Sequence, residues 1–472
     1  MKRFAILKDI RLWIVLLFLI RLVGISNPPL ERSHSWRQVT GLMVAKNYYE
    51  GNTSFLYPMV DDTGAKIGVI GMEFPIQYYI TAKLYNLFGY GHWQGRLLTL
   101  IIGSLGLLFF YRIVERFYSK EMALFATGAL AFSIWFSFSR KVMPDIVSVS
   151  LVIAAIHYAL SYLYSLKSGR ISLLVPFILL GILGVLIKLP AAYLLSVLII
   201  PLFDRSIALK QKAVLALCIA FTVAPSVWWY FIWNKHLVDL YGNWYNLGYS
   251  FNEGLQLIIS NLKPTVEKFY FSSFQGFVGF LLFAIGLVLM AIKRDFRLLM
   301  AIGILFLVFG FYMVKSGFFF FHHNYYIIPF VPVMAIVVGY TLSNLLYHYR
   351  TLSYALFLVV AVEGIANQQH DFFIRSKELP KLELEEVMAG ISQKNELIAV
   401  NGDGNPQLLY MAKRKGWSIS SEKLAEPQFQ DYLKSHGCSI VAIHKASAWE
   451  GYRINLPVVY TDSHFVLYKL TN

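Results

Sequence analysis

Apolar runs of 15 to 23 residues, separated by short polar turns, dominate the chain from residue 10 to residue 368. A bilayer-spanning helix needs roughly 20 apolar residues. On that measure the runs near 10 to 26, 95 to 114, 121 to 139, 145 to 165, 171 to 188, 190 to 204, 212 to 233, 273 to 292, 297 to 314, 325 to 347 and 352 to 368 predict about 11 spans. The piece from Ile76 to Tyr90 is shorter and contains Lys83, which suits a helix lying in the membrane interface. From Pro380 the pattern becomes that of a soluble domain. Helical ELEEVMAGI leads into the strand ELIAV, the turn NGDGN, the helices PQLLYMAKRKG and AEPQFQDYLKSHG, the strand SIVAI and a closing hairpin LPVVYTDSHFVLYKL. The predicted fold is therefore an α-helical polytopic membrane protein over residues 1–375, with a first external loop at 27–94, and a small α/β domain at 376–472.

Composition agrees with this reading. Of 472 residues, 57% are hydrophobic and 16% aromatic, and the mean hydropathy of +0.55 lies outside the soluble range. The formal charge of +15 is spread through short loops, so anionic membrane lipid is the expected partner and nucleic acid is not. Cys218 and Cys438 are far apart and indicate neither a disulfide framework nor a zinc site. The stretch MKRFAILKDIR before the first run lacks a cleavage site after it and reads as a retained signal anchor.

Loop charge sets the orientation. Lys2, Arg3 and Lys8, then Arg112, Arg116 and Lys120, then Lys167 and Arg170, then Arg205, Lys210 and Lys212, then Lys293, Arg294 and Arg297 fall on one side, which the positive-inside rule makes cytoplasmic. The His34 to Pro75 segment, the Arg140 to Asp145 turn, Lys188, the Asn234 to Phe271 loop and the FFFFHHNYY stretch then share the outer face, and an odd number of spans puts the C-terminal domain there too. Polar groups gathered at one face of an apolar protein point to chemistry at that face.

Glu73, in GMEFP, and Asp145, in RKVMPD, each precede or open a helical run, so each reads either as a helix-start charge or as a carboxylate that takes a proton from an acceptor. Arg37, Arg140 and Lys188 are the outer-face cations nearest the membrane and suit a lipid phosphate, or serve only as topology charges. His34, Asp61 and Asp62 complete the polar set of the first loop. His322 and His323 diverge by about 100° if helical, so no more than one joins Tyr325 in a shared site. A divalent metal held by Glu73 with His322 or His323 is conceivable but incomplete as a ligand set, and cofactors are otherwise unassigned. Trp228, Trp229, Trp233 and Trp244 read as an aromatic belt, and the glycines of NGDGN as a tight turn.

A signal anchor, a long polar first loop ending in a Glu-containing motif before Pro, an acidic residue at the second external turn, a Lys after the fifth span and a soluble tail together resemble the GT-C glycosyltransferases. The likeness is to the branch of protein O-mannosyltransferases and the lipid A aminoarabinose transferase. It covers about the first 350 residues, most clearly in GMEFP, GRLLTLIIGSLGLLFFYRIVERFY and SRKVMPD. The resemblance implies inverting transfer of a hexosyl or pentosyl group from a polyprenyl phosphate carrier to an envelope glycan, lipid or protein acceptor, at the outer face of a bacterial inner membrane. It also implies matches for Glu73, Asp145 and Lys188 with functional positions. Two departures stand out: Arg37-Gln38 occupies the place of an early Asp-Glu, and Phe74 replaces a Lys. Two other readings of the same features are a transporter or flippase of lipid-linked sugars, for which repeated halves and mid-membrane charges are missing, and a non-catalytic membrane scaffold.

Overall fold

The computed structural model describes residues 9–164, 169–243, 248–448, 451 and 453–470. Lys2, Arg3, Lys8, Lys167 and Trp244, which entered the reading above, lie outside the described residues. The chain forms two compact units. One comprises Met1–Ile25, Gly95–Ile232 and Asn246–Gln369, and the other Ser26–Gln94, Trp233–Tyr245 and His370–Asn472. This division does not follow a single boundary near residue 375: the first loop is built together with the C-terminal α/β domain.

The first unit is helical. Six helical runs in the described chain are long and apolar enough to cross a membrane: Trp93–Phe117, Pro144–Tyr164, Leu209–Tyr241, Phe296–Ser316, Asn324–His348 and Arg350–Ala389. Three shorter apolar ones are Ile171–Ile187, Leu189–Phe203 and Val278–Ile292. Other expected spans are shorter helices, such as Ile10–Arg21 and Lys120–Phe132. Burial sorts the long helices: 83% of the apolar window is buried in Pro144–Tyr164 and in Asn324–His348, against 28% in Phe296–Ser316, so the first two form the core and the last turns its apolar side chains outward. Close packing depends on a small residue at Gly184, where a Cβ would lie 2.7 Å from Val152 Cγ2. Ser148 ties the same two helices together by donating to Gly184 O at 2.6 Å.

In the second unit five strands form one sheet: β1 (Leu397–Val400), β2 (Gly416–Ser418), β3 (Cys438–His444), β4 (Val458–Thr461) and β5 (Phe465–Lys469), in the order β2-β1-β3-β5-β4. β1 runs parallel to β2 and β3, while β3–β5 and β4–β5 are antiparallel, which realises the expected hairpin. β2 was hidden in the sequence because it is three residues long and directly follows a helical pattern. It is held from outside the sheet: Gly416 N donates to Asp61 O at 2.9 Å and Gly64 N to Gly416 O at 2.7 Å. The segment Ile76–Tyr90 is a helix over Ile76–Phe88 that leaves Ile80, Leu87 and Phe88 exposed.

Candidate active site

In the helical unit the candidate residues meet around Lys188. The helix Leu174–Ile187 ends there, two residues before Pro190, and Lys188 is extended, with φ −155° and ψ 105°. Its Nζ lies 3.8 Å from Asp145 Oδ1 and 5.8 Å from the centroid of the Tyr325 ring. Asp145 sits in the first turn of Pro144–Tyr164 and is only 3% exposed. An ionised carboxylate so deeply buried needs a partner, and Lys188 supplies one. The close approach at Gly184, one turn before Lys188, is what brings the two side chains together.

His323 stacks on Tyr325 with ring centroids 5.2 Å apart, whereas His322 stacks on Phe318 at 4.7 Å. The imidazole planes are 78° apart, so the pair diverges and His323 is the member beside Tyr325, the ring that Lys188 also approaches. Arg140, expected at a donor phosphate, is instead buried and donates through Nε to Arg21 O at 3.1 Å and through Nη2 to Val23 O at 2.5 Å. Those carbonyls close the helix Ile10–Arg21, and a cation is favoured at a helix C-terminus. Arg140 therefore has a structural occupation, which its place in the sequence did not reveal. Trp229 is fully buried, which makes it a core residue rather than part of a belt, while Trp228 stays exposed.

In the second unit the first loop begins at His34, whose backbone is left-handed at φ 54°, and whose carbonyl accepts from Arg37 N as the helix Ser35–Tyr49 starts. His34 thus sets the start of the helix that carries Arg37. The Arg37 guanidinium pairs with the Glu73 carboxylate, both side chains being mostly buried. Glu73 is not the cap of the following helix, because that position is Pro75, with no side-chain cap. The backbone at Met72, one residue earlier, is gripped by the buried Asn234 amide, which accepts from Met72 N at 3.2 Å and donates to Met72 O at 2.9 Å. Asn243 grips Ile67 O at 2.8 Å and Val69 O at 2.7 Å, and the Trp233 indole donates to Leu56 O at 2.9 Å.

Asp61 and Asp62 separate in role. Asp61 receives Lys46 Nζ at 2.8 Å and Asn47 Nδ2 at 3.1 Å, in a pair whose side chains are 7% and 6% exposed. Asp62 is half-buried; burial lifts its carboxyl above the ordinary range, the Asp61 charge adds to the lift, and a backbone hydrogen bond opposes it. The tail domain also holds the loop: Gln407 Nε2 donates to Pro29 O at 3.0 Å and Ser35 Oγ at 2.7 Å. Sequence reasoning missed Asn234, Asn243 and Gln407, since amides in polar stretches carry no pattern. The NGDGN turn is closed on itself by Asn405 N donating to Gly402 O at 2.8 Å, as a tight turn would be. Among the described residues no three His, Cys, Asp or Glu side chains form a group able to hold a metal ion.

Comparison with known proteins gives the fold. A profile of the family described as dolichyl-phosphate-mannose-protein mannosyltransferase matches residues 73–229, from Glu73 through Lys188. No curated protein sequence matches. Among solved structures, ArnT from Cupriavidus metallidurans bound to undecaprenyl phosphate superposes with a TM-score of 0.63 at 16% identity, over 97% of this chain and 98% of that one. The chain has the fold of the GT-C glycosyltransferases and resembles their branch of protein O-mannosyltransferases and the lipid A aminoarabinose transferase. AglB from Archaeoglobus fulgidus, an oligosaccharyltransferase in complex with an inhibitory peptide and a dolichol-phosphate, matches with a TM-score of 0.58 at 12% identity over 92% of this chain and 69% of that one. The mycobacterial arabinofuranosyltransferase AftD matches at 0.55 and 11% over 98% of this chain and 42% of that one. The structural likeness reaches well past residue 350, where the resemblance read from sequence stops.

Proposed function

We propose that the protein is a membrane glycosyltransferase that moves a sugar from a polyprenyl-phosphate-linked donor to an envelope glycan, lipid or protein acceptor. The observation that carries this reading is the buried Asp145–Lys188 pair beside Tyr325, in a chain that matches a lipid-phosphate-bound ArnT almost end to end. In the reaction the bond from the anomeric carbon to the phosphate oxygen breaks, a bond to the acceptor oxygen forms, and polyprenyl phosphate leaves. The acceptor proton passes to a carboxylate, for which Asp145 and Glu73 are the candidates. Lys188 and Arg37 are the candidates for the phosphate, each already beside a carboxylate. Arg140 is omitted from the phosphate set because its guanidinium is committed to carbonyls.

The rest of the reading follows the resemblance and the loop charges: about 11 spans, a cytoplasmic N-terminus, inverting transfer at the outer face of a bacterial inner membrane, and residues 376–472 outside. A divalent metal held by Glu73 with His322 or His323 stays outside the proposed steps. The test is an assay of purified protein with a panel of polyprenyl phosphate sugars, following release of the lipid phosphate. Release dependent on both a donor and an acceptor supports the reading; no release with any donor that the protein binds would sink it.

A further inference from the structure

The second unit contains a cavity of about 950 Å³ that none of the proposed transfer chemistry uses. That volume is at the upper end of the roughly 300–1,000 Å³ in which small molecules are buried, and it has room for more than one sugar ring. One wall comes from the first loop. Tyr49 ends the helix Ser35–Tyr49, Glu50 caps it, and Tyr90 follows Gly89, whose φ of 80° turns the chain back. Tyr85 braces both rings, edge-on to Tyr49 at 5.7 Å and tilted against Tyr90 at 4.8 Å, and Tyr49 and Tyr90 themselves lie 6.1 Å apart. The hydroxyl of Tyr90 is held 2.8 Å from that of Tyr410.

The opposite wall is polar. Lys413 closes the helix Gln407–Ala412 in the left-handed region, with φ 49°, a conformation that strains a non-glycine residue. From there its ammonium reaches Glu385 at 2.6 Å and sits 5.5 Å from the Tyr90 ring centroid. Arg414 is 6% exposed; it donates to Ser392 O at 2.9 Å, while its Nε is buried with no hydrogen-bond partner. Strained residues and unsatisfied buried donors are retained where the surroundings or a ligand give them a purpose.

The charges of the lining nearly balance. Lys394 lies 3.0 Å from Glu50 and Lys413 is on Glu385, Glu396 shares the lining with Arg414, and Lys46 is on Asp61, which lies outside the lining. A site for a phosphate would hold cations in excess and a site for a lipid tail would be apolar; this one offers neither. It offers tyrosine faces beside a dense set of donors and acceptors with little net charge. A neutral, hydroxyl-rich ligand with apolar C–H faces matches those properties: the rings take the C–H faces, and the carboxylates and ammonium groups take the hydroxyls.

We propose that this cavity binds a saccharide of two or three rings. Its assignment as the glycan part of the acceptor rests on the glycosyltransferase reading; saccharide binding itself does not. The test uses full-length protein in nanodiscs and saturation-transfer NMR with glucose, N-acetylglucosamine, galactose and the β-1,4-linked trimers of the first two. Binding of a trimer more tightly than its monomer is expected. Tyr49→Ala should weaken it at least 10-fold, Tyr49→Phe should restore it, and Glu385→Gln should weaken it as well. Tyr49 is partly exposed, so the thermal midpoint of Tyr49→Ala should stay near that of the parent. No saturation transfer to any of these sugars, equal affinity in Tyr49→Ala, or displacement of the trimer by inorganic pyrophosphate would overturn the proposal. Undecaprenyl phosphate binding, measured on the same samples, reports separately on the proposed donor site and should be unchanged in Tyr49→Ala.

Discussion

Replacing Lys46 with Met would decide whether Asp61 belongs to the scaffold or to the chemistry. Lys46 and Asp61 are 2.8 Å apart with side chains 7% and 6% exposed, so the small value of exposed ion pairs, about 0–1 kcal/mol, does not apply. Lys46→Met leaves the Asp61 carboxylate buried, with Asn47 Nδ2 at 3.1 Å as the remaining side-chain donor to it. Stranding one member of a buried pair costs about 3–5 kcal/mol. Removing both charges in Lys46→Met/Asp61→Leu should come back to within about 2 kcal/mol of the parent, because the Asn47 amide keeps Met43 O at 3.0 Å and Met59 O at 3.1 Å as acceptors. Cys438 makes a reporter: it is 4% exposed on β3 of the sheet whose β2 bonds to Asp61, and burial pushes its thiol up to about 12. In a Cys218→Ser background at pH 8, thiol labelling therefore follows opening of this unit. A loss of about 3–5 kcal/mol corresponds to labelling roughly 100-fold to 5,000-fold faster in the single variant. Acceleration below about 3-fold, or a double variant no slower than the single, would refute the clamp. So would an Asp61→Asn protein that labels like the parent yet loses turnover 100-fold.

Four further outcomes follow from the geometry. If Asp145 or Glu73 is the base, Asp145→Asn or Glu73→Gln should lower turnover by about 100-fold to 10,000-fold in the lipid-phosphate release assay without faster Cys438 labelling, and near-parental rates in both would move the base elsewhere. Lys188→Gln should weaken undecaprenyl phosphate binding about 10-fold while acceptor affinity holds, and equal donor affinity would make Lys188 a partner for Asp145 only. Burial holds the His444 imidazole down at about 4, below its ordinary 6.5, so folding favours the neutral ring; that stability is complete above pH 6.5 and fades as pH falls toward 4, by at most about 3 kcal/mol. His444→Asn should flatten the fall in urea midpoint between pH 7 and 4.5, and a parent with no such fall would contradict it. For orientation, Cys introduced at the exposed Ala65 should label in intact cells, and labelling only after permeabilisation would reverse the topology; Gly64 cannot serve, since a Cβ there would lie 2.3 Å from Trp417 Nε1.

The sequence made individual chemistry visible more readily than partnership. Glu73, Asp145, Arg37 and Lys188 stand out because ionisable groups are rare beside apolar runs, but nothing in a linear pattern joins Asp145 to a lysine 43 positions away. That pairing depends on a glycine contact between two helices. Arg140 and Lys188 look alike in sequence, as cations at the end of an apolar run, and only the carbonyls of Arg21 and Val23 tell them apart. Spans were countable by hydropathy, although several of the counted stretches are helices too short to cross alone, such as Lys120–Phe132. In the tail, the strands with alternating or continuous apolar residues were legible and β2 was not, because it is three residues long and part of its backbone bonding goes to Asp61 and Gly64.

The way Asn234, Gln407 and Gly416 fasten the first loop has a consequence for synthesis. Residues 26–94 are made early, yet the amide that grips Met72 is more than 160 positions later, and the β2 backbone that bonds to Asp61 is some 350 positions later. At about 5–20 residues per second the loop bearing Glu73 waits on the order of 15–70 s between its own emergence and that of its last partner. Throughout that interval Lys46, Asp61 and Asn47 have only partners within the loop segment itself and water. A ribosome that stops between residues 390 and 416 therefore leaves a chain in which the long apolar helices of the described residues are complete and the first loop has no finished sheet to close upon.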